Sequence, residues 1–351
     1  MPVPRIHLIA PAGSCGPFLS AIKFATPAEL IGLVQETVGS RYVVTANETL
    51  LTATEDELHG GRTDDGLRAD DLQQALADSD VTAIVALRGG AWFTRILPSI
   101  DFTVLDHRTT RVAVFGFSEL TALVNIVGAH PRGLGVYYMG PAFLPYGLTR
   151  YAVKHLRLNA TTAPTSRDWM QSRLHEEFRR YFATVTSILE TSLFAEARSE
   201  PITLTARCVR GTLDEKRDVV LVGGNLTVLS TMIGSMYHAC IAPKGRWLLL
   251  EDFNDKPERL DRFLAHLTLA RFWDRLDGVL LGDFHQEERD LLPAVLEMLD
   301  YHLPRRLPLT VLVADSVGHT WPMTPVPLHR SASLSRGCNG ELSIRWSLQH
   351  T

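Results

Sequence analysis

The residue whose surroundings most suggest covalent chemistry is Ser118, in the stretch RVAVFGFSELTALVNIV. An apolar run ends at Phe115, and Ser118 follows shortly afterwards at the start of a helical pattern. A strand-to-helix turn of this kind exposes the serine at the carboxyl end of a parallel sheet, where ligands bind in open α/β folds. The backbone N–H of Glu119 would then point toward an oxyanion on an acyl group. However, Leu120 stands where the Gly-x-Ser-x-Gly pattern requires glycine, and a serine here is also explained as a helix N-cap.

Gly89 and Gly90 follow the apolar run Val81–Leu87. Paired glycines at this point let the backbone turn close to a ligand because no Cβ is in the way. An ordinary turn at the end of a strand has the same pattern. The chain contains neither Gly-x-Gly-x-x-Gly nor a P-loop sequence, so we expect no nucleotide cofactor.

Two acids and one histidine could support a nucleophilic serine. Glu251 and Asp252 follow an apolar run, and His319 lies in a loop rich in glycine and proline. A serine hydroxyl becomes a good nucleophile when an imidazole takes its proton and an acid orients that imidazole. The alternative stays open for each, because acids at a strand end are commonly solvated and a histidine in a loop is commonly a polar surface residue.

The spacing of possible metal-ligating residues along the chain does not indicate a metal enzyme. The stretch from His175 to Glu177 lacks the second histidine of His-Glu-x-x-His, and no other cluster has metal-ligand spacing. The four cysteines include no Cys-x-x-Cys pair and are interpreted as reduced thiols. We therefore expect neither a metal nor another cofactor.

The elements that position these residues begin with an α/β pattern over residues 1–145. Continuous apolar runs such as Val81–Leu87 are typical of parallel strands buried on both faces. They alternate with helical patterns, among them Arg68–Asp78 and Glu119–Ala129. This rhythm predicts a parallel sheet in an N-terminal domain that carries Ser118.

The remainder of the chain divides into two parts. Residues 146–200 contain a long charged helical pattern over Asp168–Phe194 and are predicted to form a helical linker or insertion. Residues 201–351 are predicted to form a β-rich α/β domain with interleaved helices, including Leu226–Met236 and Glu287–Leu299.

Composition limits the partners and the location. The 351 residues, 45% of them hydrophobic, are enough for two packed domains. A formal net charge of −4 gives no electrostatic reason to expect a nucleic-acid or anionic-membrane partner. The apolar run before Pro11 is too short for a signal peptide, and no window suits a membrane-spanning helix. We expect a cytoplasmic protein.

Six segments, in order, resemble the LD-carboxypeptidase family, which includes murein tetrapeptide carboxypeptidases and microcin-C immunity peptidases. The segments are IHLIAPAG, DDGLRADDLQQALADSDVTAIVALRGG, GFSELTAL, VGGNLTVLSTMIGS, LLLEDFNDKPERLDRFLAHL and GHTWPMTPVP. The resemblance implies a flavodoxin-like N-terminal domain with the nucleophile turn and a β-rich C-terminal domain that carries the acid and the histidine. It also implies that Ser118 is the nucleophile, Glu251 the triad acid and His319 the general base. Gly90 and Glu119 fall where the family's oxyanion donors lie.

The chain departs from the family pattern near these residues. RGGAWFTR replaces the usual Arg-Gly-Gly-Tyr-Gly-x-x-Arg, and we expect Trp92 and Phe93 to line the substrate pocket. Met323 stands where the family usually has asparagine, and His329 where it usually has glycine. The triad is intact, so these departures bear on substrate choice.

The resemblance implies a serine carboxypeptidase that releases the terminal D-alanine from cytosolic murein tetrapeptides, in peptidoglycan recycling. Its partner would be a peptide ending in a D-amino acid, and family members are often homodimers. One alternative is a microcin-immunity-type peptidase that cleaves an acyl-sulfamoyl nucleotide, whose base Trp92, Phe93 or Trp169 could stack against. Another is a family member that only binds its ligand.

Overall fold

The computed structural model describes residues 3–13, 15–21, 24, 26–52, 64–156, 167–194, 201–213, 216–303, 309–337 and 341–348. The strands of this part of the chain are β1 (Arg5–Ile9), β2 (Val43–Ala46), β3 (Val81–Ala86), β4 (Val112–Gly116), β5 (Gly133–Tyr137), β6 (Ile202–Arg210), β7 (Arg217–Asn225), β8 (Arg246–Phe253), β9 (Leu276–Gln286), β10 (Arg289–Asp290), β11 (Thr310–Val313), β12 (Val326–Leu328), β13 (Ser331–Arg336) and β14 (Leu342–Trp346). The helices are α1 (Gly16–Ala21), α2 (Pro27–Val38), α3 (Glu48–Thr52), α4 (Asp65–Ala77), α5 (Phe93–Ile96), α6 (Thr121–Ala129), α7 (Leu144–Leu156), α8 (Arg167–Ser192), α9 (Leu226–Met232), α10 (Pro257–Leu269) and α11 (Leu292–His302). Short 3₁₀ helices cover Gly39–Arg41, Leu97–Ser99, Phe102–His107, Ser118–Leu120, Pro141–Phe143, His238–Ile241 and Phe272–Arg275.

The first sheet has the strand order β12-β5-β4-β3-β1-β2. Strands β1 to β5 are parallel, and β12 runs antiparallel beside β5. The order 2-1-3-4-5 of the parallel strands is that of flavodoxin-like folds. The fold class predicted for the N-terminal part is confirmed.

The second sheet is built from the C-terminal part of the chain. Its order is β10-β9-β11-β6-β14-β13-β7-β8, and β8 also pairs with β9, so the sheet closes like a barrel. Strands β7, β8, β9 and β11 are parallel neighbours, and the other pairs are antiparallel. The predicted β-rich second unit is thereby confirmed.

Helix α6 lies between the two sheets. It contacts β4 and β5 of the first sheet and β7 of the second, and its residues Thr121 to Gly128 are all buried. Asn125 of α6 donates to the carbonyl oxygen of Gly223 at 2.9 Å and accepts from its N–H at 3.0 Å. Buried polar groups require such partners, so these bonds fix the helix that follows Ser118 against β7.

Two predicted helices differ from the structure. The helix expected over Leu226–Met236 ends at Met232, shortly before Gly234, whose φ is +81°. The helix expected from Glu287 begins only at Leu292, because residues 287 and 288 form the two-residue turn between β9 and β10. The division of the chain at residues 145 and 200 stays a prediction.

Candidate active site

Ser118 lies in the turn between β4 and α6. Its φ is +55°, in the left-handed region, where a non-glycine residue costs about 1–3 kcal/mol. The Ser118 carbonyl oxygen accepts a hydrogen bond from Thr121 Oγ1 at 2.7 Å, and the Ser118 N–H donates to the Tyr137 hydroxyl at 3.1 Å. These bonds hold the serine in a conformation in which it lines a cavity.

The glycine loop after β3 passes directly against Ser118. A Cβ added to Gly89 would lie 3.0 Å from the Ser118 Cβ and 3.4 Å from its Oγ. Gly90 has a φ of +132°, which side chains rarely permit. The Glu119 carboxylate accepts from the N–H and hydroxyl of Thr94 at 3.1 and 3.3 Å, and so connects the serine turn to α5, the helix that follows this loop. Burial raises the pKa of Glu119, although its bonds to Thr94 oppose the shift.

Glu251 and His319 form a buried pair. Glu251 lies near the carboxyl end of β8, and His319 lies in the loop after β11. Glu251 Oε2 is 2.6 Å from His319 Nδ1, and the two residues are 0% and 4% exposed. Gly318 allows this approach, because a Cβ there would lie 2.9 Å from Oε2. A carboxylate in this position holds the proton on Nδ1 and leaves Nε2 able to accept one.

Tyr137 and Asn225 complete the surroundings of Glu251, and neither was predicted from the sequence. The Tyr137 hydroxyl donates to Glu251 Oε1 at 2.6 Å, and Asn225 Nδ2 donates to the same oxygen at 3.3 Å. Burial, reinforced by the charge of Glu251, raises the pKa of Tyr137 well above its ordinary value, so the phenol stays protonated. Since the Tyr137 oxygen also accepts from Ser118, one hydroxyl links Ser118 to Glu251. Tyr137 is the last residue of β5, and Asn225 is the last residue of β7. A position at the carboxyl end of a strand, where ligands bind in α/β folds, is the signal that could have identified them.

Asp252 is bonded to Thr227 rather than to His319. Its carboxylate accepts from the N–H and hydroxyl of Thr227 at 3.0 and 2.9 Å. Burial, followed by the charges of Glu251 and Asp255, raises the pKa of Asp252 to about 7. Successive side chains of a strand point to opposite faces, which explains why the two adjacent acids have different partners.

A cavity of about 320 Å³ contains both Ser118 and His319 in its wall. Gly89, Gly90 and Arg88 line one part of it, and aromatic side chains line another. Phe253 stacks on the His319 ring, with centroids 4.7 Å apart and planes at 13°. Phe117 and Phe143 lie 4.8 and 5.5 Å from the same ring. The imidazole therefore has an apolar surround.

The aromatic residues predicted for the substrate pocket are placed differently. Phe93 is fully buried in the hydrophobic core, because the first residue of α5 turns inward, so its expected position in the pocket wall is wrong. Trp92 is partly buried, with a φ of +71°, and its role in the pocket stays a prediction. The side chain of Trp169 lies outside the described residues.

A network of charged residues lies beside His319. Arg150 Nη1 donates to the His319 carbonyl oxygen at 2.9 Å and to Asp283 at 2.5 Å. Asp283 Oδ2 lies 2.6 Å from His285 Nδ1, and His285 Nε2 lies 3.3 Å from the Tyr146 hydroxyl oxygen. Burial alone would raise the pKa of Asp283, but its contacts with His285 and Arg150 outweigh that effect and lower it.

Met323 and His329, the two remaining departures from the family pattern, both form hydrogen bonds in the structure. Met323 is buried, and its sulfur accepts from the N–H of Met139 at 3.2 Å. His329 accepts from Arg246 through Nδ1 at 3.0 Å, and burial together with the charges of Arg246 and Arg330 lowers its pKa to about 3.

Among the residues described, no three His, Cys, Asp or Glu side chains are grouped to hold a metal ion. A search of the same residues finds no helix that is long and apolar enough to span a membrane.

The fold and the site belong to a serine-type peptidase. Residues 6–138 match the LD-carboxypeptidase N-terminal domain, and residues 219–334 match the LD-carboxypeptidase C-terminal domain. The chain therefore belongs to the LD-carboxypeptidase family and is a hydrolase.

Similar proteins include murein peptide carboxypeptidases and a microcin self-immunity protein. The probable murein peptide carboxypeptidase of Bacillus subtilis is 26% identical over 277 residues, which are 77% of this chain and 74% of the relative. The murein tetrapeptide carboxypeptidase of Pseudomonas aeruginosa is 29% identical over 249 residues, or 68% of this chain and 71% of the relative. The microcin C7 self-immunity protein MccF of Escherichia coli is 25% identical over 279 residues, or 74% and 73% of the two chains.

Solved structures of other proteins have the same fold as this chain. The crystal structure of an MccF-like protein from Bacillus anthracis superposes with a TM-score of 0.67 and 16% identity, over 98% of this chain and 97% of the other. This similarity supports the fold, and the activity is argued from the site.

Proposed function

We propose that this protein hydrolyses the L–D peptide bond before the terminal D-alanine of murein tetrapeptides and so serves peptidoglycan recycling. The observation that carries the proposal is that Ser118 and His319 line one cavity although they follow strands of different sheets, and that His319 is paired with the buried Glu251. The names of the two murein-peptide relatives support the choice of substrate. A cytoplasmic location and a homodimer are part of the same proposal.

In the proposed mechanism, Ser118 Oγ attacks the scissile carbonyl carbon while His319 Nε2 takes the hydroxyl proton. Glu251 keeps the other imidazole proton on Nδ1 and stabilises the imidazolium that forms. Because Glu251 is fully buried, water screens this interaction little. Tyr137 and Asn225 donate to the second oxygen of Glu251 and so fix the orientation of its carboxylate.

The tetrahedral intermediate needs donors aimed at its oxyanion, and we assign the N–H groups of Gly90 and Glu119 to this task. The N–H of Ser118 already donates to Tyr137. One such donor commonly contributes a factor of about 10² to 10³ in rate. His319 then gives its proton to the amine of the leaving D-alanine, and a water molecule hydrolyses the acyl-enzyme by the same route.

A second candidate function is cleavage of an acyl-sulfamoyl nucleotide. The aromatic wall of the cavity favours it, because Phe117, Phe143, Tyr146 and Phe253 offer faces against which a base could stack. The similarity to the microcin C7 self-immunity protein points the same way.

The test is to incubate the protein with a murein tetrapeptide, its all-L twin and an aminoacyl-sulfamoyl adenosine, and to follow the products by mass spectrometry. We expect loss of one D-alanine from the tetrapeptide, no reaction with the all-L twin, and no effect of a chelator. Ser118→Ala is the inactive control. Cleavage of the sulfamoyl compound alone would favour the second function, and faster cleavage of the all-L peptide would exclude the first.

A further inference from the structure

Both polar groups of the Ser118 backbone are bonded to hydroxyl groups of buried side chains. The Ser118 N–H donates to the Tyr137 hydroxyl at 3.1 Å, and the Ser118 carbonyl oxygen accepts from Thr121 Oγ1 at 2.7 Å. Tyr137 and Thr121 are fully buried, so water does not compete for these bonds. The positive φ of Ser118 is therefore held on both sides of the residue.

The Tyr137 hydroxyl forms a bridge from Ser118 to the acid of the buried pair. A phenol has one proton to donate. Tyr137 donates this proton to Glu251 Oε1 at 2.6 Å, while the phenol oxygen accepts from the Ser118 N–H. Burial raises the pKa of Tyr137 well above its ordinary value, so the phenol keeps this proton. The backbone of the nucleophile is thereby joined to Glu251 through a single oxygen atom.

The Thr121 hydroxyl forms a second bridge, from Ser118 to β7. Thr121 Oγ1 donates to the Ser118 carbonyl oxygen and accepts from the N–H of Asn225 at 3.0 Å. Asn225 ends β7, and its side chain donates to the same Glu251 oxygen as Tyr137 does. Two separate hydrogen-bonded paths therefore lead from the Ser118 backbone to Glu251.

Gly224 of β7 packs directly against both hydroxyl-bearing side chains. A Cβ added to Gly224 would lie 2.7 Å from Tyr137 Cε2 and 2.8 Å from Thr121 Oγ1. The φ of Gly224 is +143°, a value that residues with side chains rarely adopt. The second sheet therefore contacts the serine turn closely at these two residues, and neither side chain can shift toward β7.

We propose that Tyr137 and Thr121 are positioning residues for the hydrolytic reaction. Their hydroxyls fix the backbone of Ser118, in a turn of the first sheet, relative to Glu251 of the second sheet, and Glu251 orients His319. Neither of them is among the described residues that line the cavity, so both act on the reaction through Ser118 and Glu251. The inference rests on the proposed mechanism, in which Ser118 is the nucleophile.

Removal of each hydroxyl tests the proposal. Tyr137→Phe leaves the Ser118 N–H and Glu251 Oε1 each without one hydrogen-bond partner. Because a misplacement of about 1 Å can lower a rate about 10²-fold, we expect kcat to fall by roughly 30- to 100-fold and KM to change by less than about twofold. Thr121→Val keeps the shape of the side chain and should lower kcat by about tenfold or more. Thr121→Ser keeps the hydroxyl and should recover most of that loss.

The matched control is Tyr138→Phe, which removes a buried phenol hydroxyl from the residue next to Tyr137. Tyr138 stacks on Tyr181 of α8, with ring centroids 4.8 Å apart, and its hydroxyl is bonded to Thr184 of the same helix. This variant should keep the wild-type kcat. Thermal unfolding followed by circular dichroism separates positioning from stability, because a purely structural role would lower the thermal midpoint and leave the kcat of the folded protein unchanged.

The variants are assayed with whichever of the murein tetrapeptide and the aminoacyl-sulfamoyl adenosine the wild-type protein cleaves, since both hydrolyses would use Ser118. A wild-type kcat in Tyr137→Phe, an equal loss in Tyr138→Phe, or equal kcat values in Thr121→Val and Thr121→Ser would overturn the inference while the proposed function stands. If Tyr137→Phe does not fold, the two Thr121 variants decide. Full activity in Ser118→Ala, or no cleavage of either substrate by the wild-type protein, would overturn the proposed mechanism and the inference with it.

Discussion

Replacing Glu251 with glutamine tests the buried pair most directly, because the change removes one charge and keeps the shape. Glu251 accepts from His319 Nδ1 at 2.6 Å and, through its other oxygen, from Tyr137 at 2.6 Å and Asn225 at 3.3 Å. Glutamine offers one oxygen and one NH₂ group. Its NH₂ must face either His319 or the two other donors.

The size of the effect follows from these two orientations. With the NH₂ toward His319, the imidazole must carry its proton on Nε2 and cannot accept from Ser118. With the NH₂ toward Tyr137 and Asn225, both lose their acceptor, and each unsatisfied buried group costs about 1–3 kcal/mol. The first orientation satisfies more donors, so we expect kcat to fall by about 10⁴, or about 5 kcal/mol in the barrier.

The assay is D-alanine release under saturating substrate, with circular dichroism to establish that the variant is folded. Asp252→Asn is the matched control, because it neutralises the adjacent acid, which is bonded to Thr227. The control should keep most of the wild-type kcat. Full activity in Glu251→Gln together with an inactive Asp252→Asn would refute the assignment of the acid.

Four further predictions concern the serine turn and the surroundings of Glu251. Ser118→Ala should lower kcat by about 10⁴ to 10⁶ with an unchanged circular dichroism spectrum. Ser118→Gly should raise the free energy of unfolding, measured in urea, by up to about 1 kcal/mol, because glycine adopts the positive φ of this position without strain. Gly318→Ala should lower the thermal midpoint, since its φ is +103° and the new Cβ would lie 2.9 Å from Glu251 Oε2; an unchanged midpoint would contradict the close packing. Burial raises the pKa of Asp252 from its ordinary value of 3.8 to about 7. The stabilisation that comes from protonating Asp252 is therefore complete below about pH 4 and is lost as the pH rises to about 7. Urea unfolding at pH 5 and pH 8 should show a smaller decrease in Asp252→Asn than in wild type.

The sequence predicts elements whose signal is local. Strands β3 and β4 are continuous apolar runs and are fully buried. The turn at Ser118 is predicted by the change from strand to helix period within a few residues. The sequence around Glu251 or His319 does not distinguish a catalytic residue from a polar surface residue. No local pattern shows which of the two adjacent acids faces the histidine, so the family resemblance is needed to select Glu251 and His319.

Other features depend on contacts between distant segments. Tyr137 and Asn225 meet Glu251 only after β5, β7 and β8 are assembled, so neither has a local signal. Glu287 is in a helix-favouring sequence, but the pairing of β9 with β10 turns the chain there. Phe93 could equally line a pocket or fill the core by its type alone, and the packing of α5 decides for the core.

The antiparallel strand β12 has a consequence for synthesis of the chain on the ribosome. Its residues, Val326–Leu328, cover the edge of β5, which is complete at Tyr137. The N-terminal sheet therefore emerges with an apolar edge that stays uncovered for roughly 10–40 s at usual elongation rates. Uncovered edges invite pairing with other chains, so we expect nascent chains stalled before residue 326 to depend on chaperones.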